Sequence, residues 1–168
     1  MIEVELIGVT VEVSSNTPVV NLRELEGIHR SLSIFIGAPE ATAIAFALEG
    51  VEAPRPLTHD LFKDVLDETS ISLEQIVISE LRDATFYAEL HLTDGDTNWV
   101  VSSRPSDAIA LAARMDCPIY VDEEVLDVAG VAQVVQAESD EVTDGDPEEV
   151  VEEFRQFIDT VNPEDFGS

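Results

Sequence analysis

The sequence predicts an α+β domain built from a duplicated β-β-β-α unit. Its strands form a mixed, mostly antiparallel sheet with helices packed on it, and an amphipathic helix follows at the C-terminus. Three observations carry this prediction. Apolar and polar residues alternate through Ile2, Val4 and Leu6 and again through Val9, Val11 and Val13, the period of a half-buried strand. Ile36-Gly37-Ala38-Pro39-Glu40 leads into Ala43-Ile44-Ala45, just as Ser103-Arg104-Pro105-Ser106-Asp107 leads into Ala108-Ile109-Ala110, and a hairpin pattern precedes each. Near the end, Val150, Val151, Phe154, Phe157, Ile158 and Val161 recur at helical spacing.

In chain order, the slip near Gly8 suits a bulge in the first strand. Ser14 to Pro18 is a turn, and Val19 to Leu25 with Ser31 to Ile36 reads as a hairpin around Gly27. Pro39 suits a first helical turn and Glu40 favours its dipole, so a helix runs from about Ala41 to Leu48 and stops near Gly50. Beyond the proline-rich stretch Val51 to Pro56, Thr58 is a good N-cap for a second helix with Asp60 in its first turn. Leu57, Leu61, Phe62, Val65 and Leu66 form the apolar stripe of that helix. Ser72 to Glu74 breaks it, and Gln75 to Ser79 is a strand. Phe86 to Leu92 and Trp99 to Val101 form a hairpin turned at Asp94-Gly95. Pro118 to Val121 is the last strand and Glu123 to Val128 a short helical turn. Three regions result: a domain over 1–136, an acidic linker over 137–147, and the acidic amphipathic helix and tail over 148–168. That helix needs a partner surface, because an isolated helix of its length is marginal in water.

With 168 residues and 45% hydrophobic content, the chain has enough apolar mass for one core. No apolar run approaches the ~20 residues that cross a bilayer, and Met1 to Glu5 lacks the basic and apolar regions of a secretion signal. Cys117 is the single cysteine, which excludes an intrachain disulfide framework. Its neighbours Asp116 and Pro118 bring no positive charge, so it reads as a small buried apolar residue. The expectation is a cytoplasmic protein with no membrane partner. The net charge is −28, from 36 acidic and 8 basic residues, and Lys63 is the only lysine. Acids spread along the whole chain with almost no lysine read as halophilic adaptation. At ~1 M salt the Debye length is only ~3 Å, so such a charge says little about nucleic-acid binding. The alternative is a nucleic-acid mimic or a binder of basic partners. Glycine-rich phosphate loops, G-x-S-x-G, H-E-x-x-H, paired CxxC motifs and basic stripes with interleaved aromatics are all absent.

Four polar segments exceed what the fold requires. His59-Asp60 at a helix start could hold a divalent metal or act as a general base, or could simply cap the helix. Glu80-Leu81-Arg82-Asp83, between a strand and the next hairpin, could bind a metal and clamp a phosphate, or be a solvated turn with a local ion pair. Ser103-Arg104-Pro105-Ser106-Asp107 offers a helix N-terminus beside an arginine, an anion site in form, though Ser106 and Asp107 also suit a plain N-cap and first turn. Asp122-Glu123-Glu124 could give metal ligands, or be an acidic first turn. His29 and His91 have no local constellation.

Together, Arg55-Pro56-Leu57-Thr58-His59-Asp60-Leu61, Leu81-Arg82-Asp83-Ala84-Thr85-Phe86-Tyr87-Ala88 and Arg104-Pro105-Ser106-Asp107-Ala108-Ile109-Ala110-Leu111-Ala112 resemble the bifunctional nuclease family. Gly37-Ala38-Pro39-Glu40-Ala41 and the closing Phe154-Arg155-Gln156-Phe157 and Pro163-Glu164-Asp165-Phe166 extend the likeness over essentially the whole chain. The resemblance implies an α+β homo-oligomer acting on DNA and RNA. Carried over residue by residue, it points to His59, Asp60, Arg82, Asp83, Arg104, Ser106 and Asp107. The corresponding expectation is phosphodiester hydrolysis, with Asp60, Asp83 and Asp107 holding Mg²⁺ or Mn²⁺. Arg82, Arg104 and Ser106 would bind the phosphate and His59 would be acid or base, with Asp60 and Asp83 sharing the catalytic work. Two other readings stand beside it: a non-catalytic module binding an anionic metabolite at Arg104–Ser106, and an oligomeric regulatory protein docking through its C-terminal helix.

Overall fold

Strand β1 (Ile2–Glu12) follows the alternation of its sequence and slips register between Leu6 and Gly8, where Gly8 at φ 145 takes a conformation that side chains resist. It pairs with β2 (Thr17–Glu24), which pairs with β3 (Ser31–Phe35). Helix α1 (Ala38–Glu49) follows and ends at Gly50 in the left-handed conformation. After α2 (Thr58–Glu68), the order repeats as β4 (Ser72–Arg82), β5 (Thr85–Thr93), β6 (Asn98–Ser103) and α3 (Pro105–Met115). β7 (Ile119–Val121) and α4 (Glu123–Ala129) complete the described elements.

These coordinates are a computed structural model describing residues 1–132, within the first of two compact units, Met1–Gln133. The predicted linker 137–147 and helix 148–168 lie outside the described residues.

The sheet is mixed and mostly antiparallel, as predicted, with strand order β3-β2-β1-β7-β4-β5-β6; among the described strands only β4 and β7 run parallel. Each β-β-β-α half contributes a three-stranded meander, and β7 lies between the two. The sheet is covered on one face. Val4, Leu22, Leu32, Ile76 and Leu90 turn toward the helices and are buried. Glu3, Glu5, Asn21, Arg23, Ser33 and Glu89 occupy the opposite, polar face. Glu24 is the exception, a carboxylate on the buried side at 3% exposure. Small side chains set the helix layer: Ala41 and Ala43 on α1, and Ala108, Ala110 and Ala112 on α3, are buried where the two helices pack together on the sheet.

Several boundaries differ from expectation for identifiable reasons. α1 starts at Ala38, because Pro39 already belongs to its first turn and Gly37 is the cap. Thr58 is the first residue of α2 and not its N-cap. Leu57 takes the cap position, and the Asp60 carboxylate accepts the Leu57 N–H at 2.9 Å. β4 is unbroken from Ser72 to Arg82, with irregularities between Leu73 and Gln75 and between Ile78 and Glu80. Asp83 and Ala84, at φ 50 and 58, make the two-residue turn into β5. The Glu80–Asp83 segment is therefore a strand end and hairpin tip, whose charged side chains imitate a loop because they face solvent. The α2 stripe is only partly covered: Leu66 is buried, but Leu61, Phe62 and Val65 are 57%, 43% and 52% exposed.

Candidate functional site

Three helix starts meet at one place. Pro39 and Glu40 from α1, Thr58 and His59 from α2, and Arg104 and Asp107 from α3 line a common depression of about 530 Å³. Close packing of α1 and α2 against α3 brings these N-termini together, and proline within the first turn of α1 and α3 fixes where each begins.

The geometry centres on Asp107. Its Oδ1 lies 3.1 Å from His59 Nε2 and 3.0 Å from Arg104 Nη2, while Oδ2 accepts from Arg104 Nε at 2.6 Å. Arg104 Nη2 also donates to Glu40 Oε1 at 2.8 Å. Among the described residues Arg104 Nη1 donates to nothing, and the side chain is 66% exposed. Burial pushes the Asp107 carboxyl upward, but hydrogen bonds from Arg104 and His59 outweigh it and hold the group below the usual carboxylate range. Hydrogen bonds to Asp107 and Glu40 raise Arg104 further above its already high value. With Asp107 ionised and able only to accept, the His59 Nε2 must carry the proton of the shared bond. In the neutral form of the ring Nδ1 then carries the lone pair.

Asp60 has a different setting. Its Oδ1 accepts from Arg114 Nε at 2.6 Å and its Oδ2 from the Leu57 N–H, and the Arg114 bond chiefly lowers its titration. Arg114 is 8% exposed and also donates to the Ala110 carbonyl. Asp60 therefore ties the start of α2 to the end of α3 and holds the neighbouring His59 in register. Asp83 sits at the β4–β5 tip. Among the described residues no group of three or more His, Cys, Asp or Glu has the arrangement of a cation site. The expected set Asp60, Asp83 and Asp107 does not fit Mg²⁺ or Mn²⁺ as it stands, because two of these carboxylates are held by arginines and the third lies on a separate turn.

Arg82 packs over the Tyr87 ring at 4.6 Å from the centroid, with Nη1 3.5 Å from Glu80. Among the described residues no hydrogen bond or ion pair joins Arg82 or Asp83 to His59, Asp60 or Arg104. The hairpin tip does approach α3, since Ala84 and Thr85 share a cavity of about 410 Å³ with Gly37, Arg104 and Ser106. Ser106 is buried in the first turn of α3, where Arg104 is the cap residue, so it is not the N-cap the sequence suggested. Asp122 caps α4 by accepting the Glu124 N–H, the plainer of its two readings. Burial pushes the half-buried Cys117 thiol up to about 11. Two residues escaped sequence reasoning. Glu40 was read for its helix dipole alone and Arg114 drew no attention, because their partners lie 64 and 54 residues away.

Known proteins share this architecture's sequence. The family described as the bifunctional nuclease domain matches residues 20–134. A protein of Mycobacterium tuberculosis described as uncharacterised is 47% identical over 165 residues, covering 98% of this chain and 97% of its own. Bifunctional nuclease 2 of Oryza sativa subsp. japonica is 26% identical over 133 residues, 77% of this chain and 41% of its own. Bifunctional nuclease 2 of Arabidopsis thaliana is 29% identical over 105 residues, 61% of this chain and 32% of its own.

Proposed function

The chain belongs to the bifunctional nuclease domain family, and from that membership we propose that it hydrolyses phosphodiester bonds of DNA and RNA where α1, α2 and α3 meet. The observation that supports this site is the His59–Asp107 pair at 3.1 Å with Arg104 on the same carboxylate. Asp107 fixes the His59 ring, and Nδ1 takes a proton from a water molecule. The water oxygen bonds to phosphorus, the bond to the leaving oxygen breaks, and that oxygen takes a proton from solvent while Nδ1 returns its own to solvent. The unpaired end of Arg104 steadies the charge that builds on the phosphate oxygens. Asp60 and Arg114 are positioning residues in this scheme. No step is assigned to a divalent cation, and the same assay decides whether one takes part.

The experiment is cleavage of single-stranded DNA and RNA in high salt, with Mg²⁺, Mn²⁺ or EDTA, by the wild-type protein and His59→Ala. Cleavage is expected to fall about 10²-fold in the variant. Equal cleavage by both would remove the site, and no cleavage by either would leave an anion-binding module as the better reading.

We also propose that the protein self-associates through the outer flank of α2, where Leu61 and Val65 are 57% and 52% exposed. Among the described residues no helix is long and apolar enough to cross a membrane, so a bilayer-spanning helix there does not account for this apolar surface. Light scattering should give a multiple of the chain mass, reduced to the monomer by Val65→Glu; a monomeric wild type would end this idea.

A further inference from the structure

A second cavity opens beside the same residues, on the sheet side of α2. It measures about 500 Å³, and His59, Phe62, Leu90, Val101, Arg104 and Leu111 line it. Its floor is the outer part of the sheet: Leu90 pairs with Val101 and Ala88 with Ser103, so alternate residues of β6 turn to the helix side. No helix covers this floor next to α2, and Phe62 and Val101 each remain 43% exposed. The cavity is thus apolar along its length and polar at one end, where His59, Arg104 and Asp107 stand.

Resting on the nuclease reading, we infer that this cavity takes one unpaired nucleobase of a single strand whose phosphate lies at Arg104 and His59. Its volume suits a small ligand, and mostly apolar walls with a few convergent polar groups are the usual form of such sites. Phe62 offers an aromatic face, and stacking on such a face accepts any base. The polar end is where the negatively charged part of a nucleotide would lie, one side chain away from the apolar part. A duplex is excluded from this arrangement, because its bases are stacked inward and its two backbones need a basic groove. Among the described residues Arg23, Arg30, Lys63, Arg82, Arg104 and Arg114 are each paired with a carboxylate, which leaves no run of free cations for two backbones. One base and one phosphate need only this cavity and Arg104.

The test uses ligands that hold no phosphodiester bond. Calorimetry in high salt compares thymidine 5′-phosphate, deoxyribose 5-phosphate and inorganic phosphate on the wild-type protein, Phe62→Ala and Phe62→Trp. The nucleotide should bind at least ten-fold tighter than the two baseless ligands, lose about ten-fold in Phe62→Ala, and recover in Phe62→Trp. In parallel, a single strand should be cleaved at least ten-fold faster than the blunt duplex it forms with its complement. Equal binding of nucleotide and sugar phosphate would overturn the inference. So would a change of molecular mass in Phe62→Ala, which would make the cavity a contact between copies of the chain. Equal cleavage of strand and duplex would overturn it for nucleic acid and leave a site for free nucleotides. Base-dependent binding without any cleavage would sustain the cavity and sink the nuclease reading alone.

Discussion

An Asp107→Asn protein is expected to keep its fold and lose about 10³-fold in the rate of phosphodiester cleavage. The size of the effect follows from three hydrogen bonds accepted by one carboxylate. Asp107 accepts from His59 Nε2 and from both Arg104 Nε and Nη2, and its depressed titration keeps it ionised across the neutral range. An amide has one acceptor oxygen and one donor nitrogen. With its oxygen on Arg104 Nε, it presents N–H groups to Arg104 Nη2 and to His59, which then keeps its lone pair on Nε2 and its proton on Nδ1. In the proposed mechanism Nδ1 can then no longer take a proton. Turned the other way, it confronts Arg104 with a donor and frees the guanidinium from its cradle. The structural cost is small, because Asp107 is 29% exposed and its charge at the helix start contributes only about 0.3–1 kcal/mol. Steady-state rates beside circular dichroism check this. A folded Asp107→Asn protein that cleaves at the wild-type rate would exclude proton transfer through His59.

The largest stability change is expected at Arg30. Glu24 is buried among apolar residues, and its carboxylate accepts from the Arg30 backbone N–H at 2.7 Å, from Nε at 2.9 Å and from Nη2 at 2.6 Å. Arg30 Nη1 reaches Asp127 on α4 at 2.6 Å, so one guanidinium joins the β2–β3 turn to the last described helix. Arg30→Met leaves a buried carboxylate unpaired and should destabilise the protein by about 3–5 kcal/mol near neutral pH. The double variant Glu24→Leu with Arg30→Met should recover most of that loss, since matched apolar residues replace a buried ion pair at little cost. The pH dependence has a definite sign. Hydrogen bonding by Arg30 holds the Glu24 carboxyl below its ordinary range. Its contribution is therefore complete above the unfolded carboxylate's titration near pH ~4, and is lost as pH falls through the depressed folded value. The gap between wild type and Arg30→Met should narrow in acid. Urea denaturation at pH 7 and at about pH 3.5 measures it, and a gap unchanged between the two would show that Glu24 is not the origin.

Period-two alternation revealed β1 and both hairpins because one face of the sheet is buried and the other wet. The paired proline-and-alanine segments revealed α1 and α3 because both must lie close on that sheet. The position of β7 was not legible: three residues, Ile119 to Val121, carry no sign of which strands will flank them. Periodicity also overstated the burial of α2. Leu61, Phe62 and Val65 show that the helix has an apolar face, but the spacing of residues along a helix says nothing about what covers it. At the site, His59, Arg104 and Asp107 stood out by residue type near helix starts. Their convergence did not, because it depends on how α1, α2 and α3 pack. The Asp60–Arg114 pair was illegible for the same reason, since Arg114 is a distant and unremarkable member of another helix.

The placement of β7 governs the order in which the molecule can assemble. Until synthesis passes Val121, the chain holds two three-stranded meanders with no strand between them, and β1 and β4 are both bare edges. Such edges invite pairing with other chains. Closure requires Ile2 to find Val121, nearly the whole described chain away, while Ile78 meets the same residue from the other side. Contacts of that range make folding slow. A nascent chain of this protein therefore spends its most vulnerable interval just before β7 emerges.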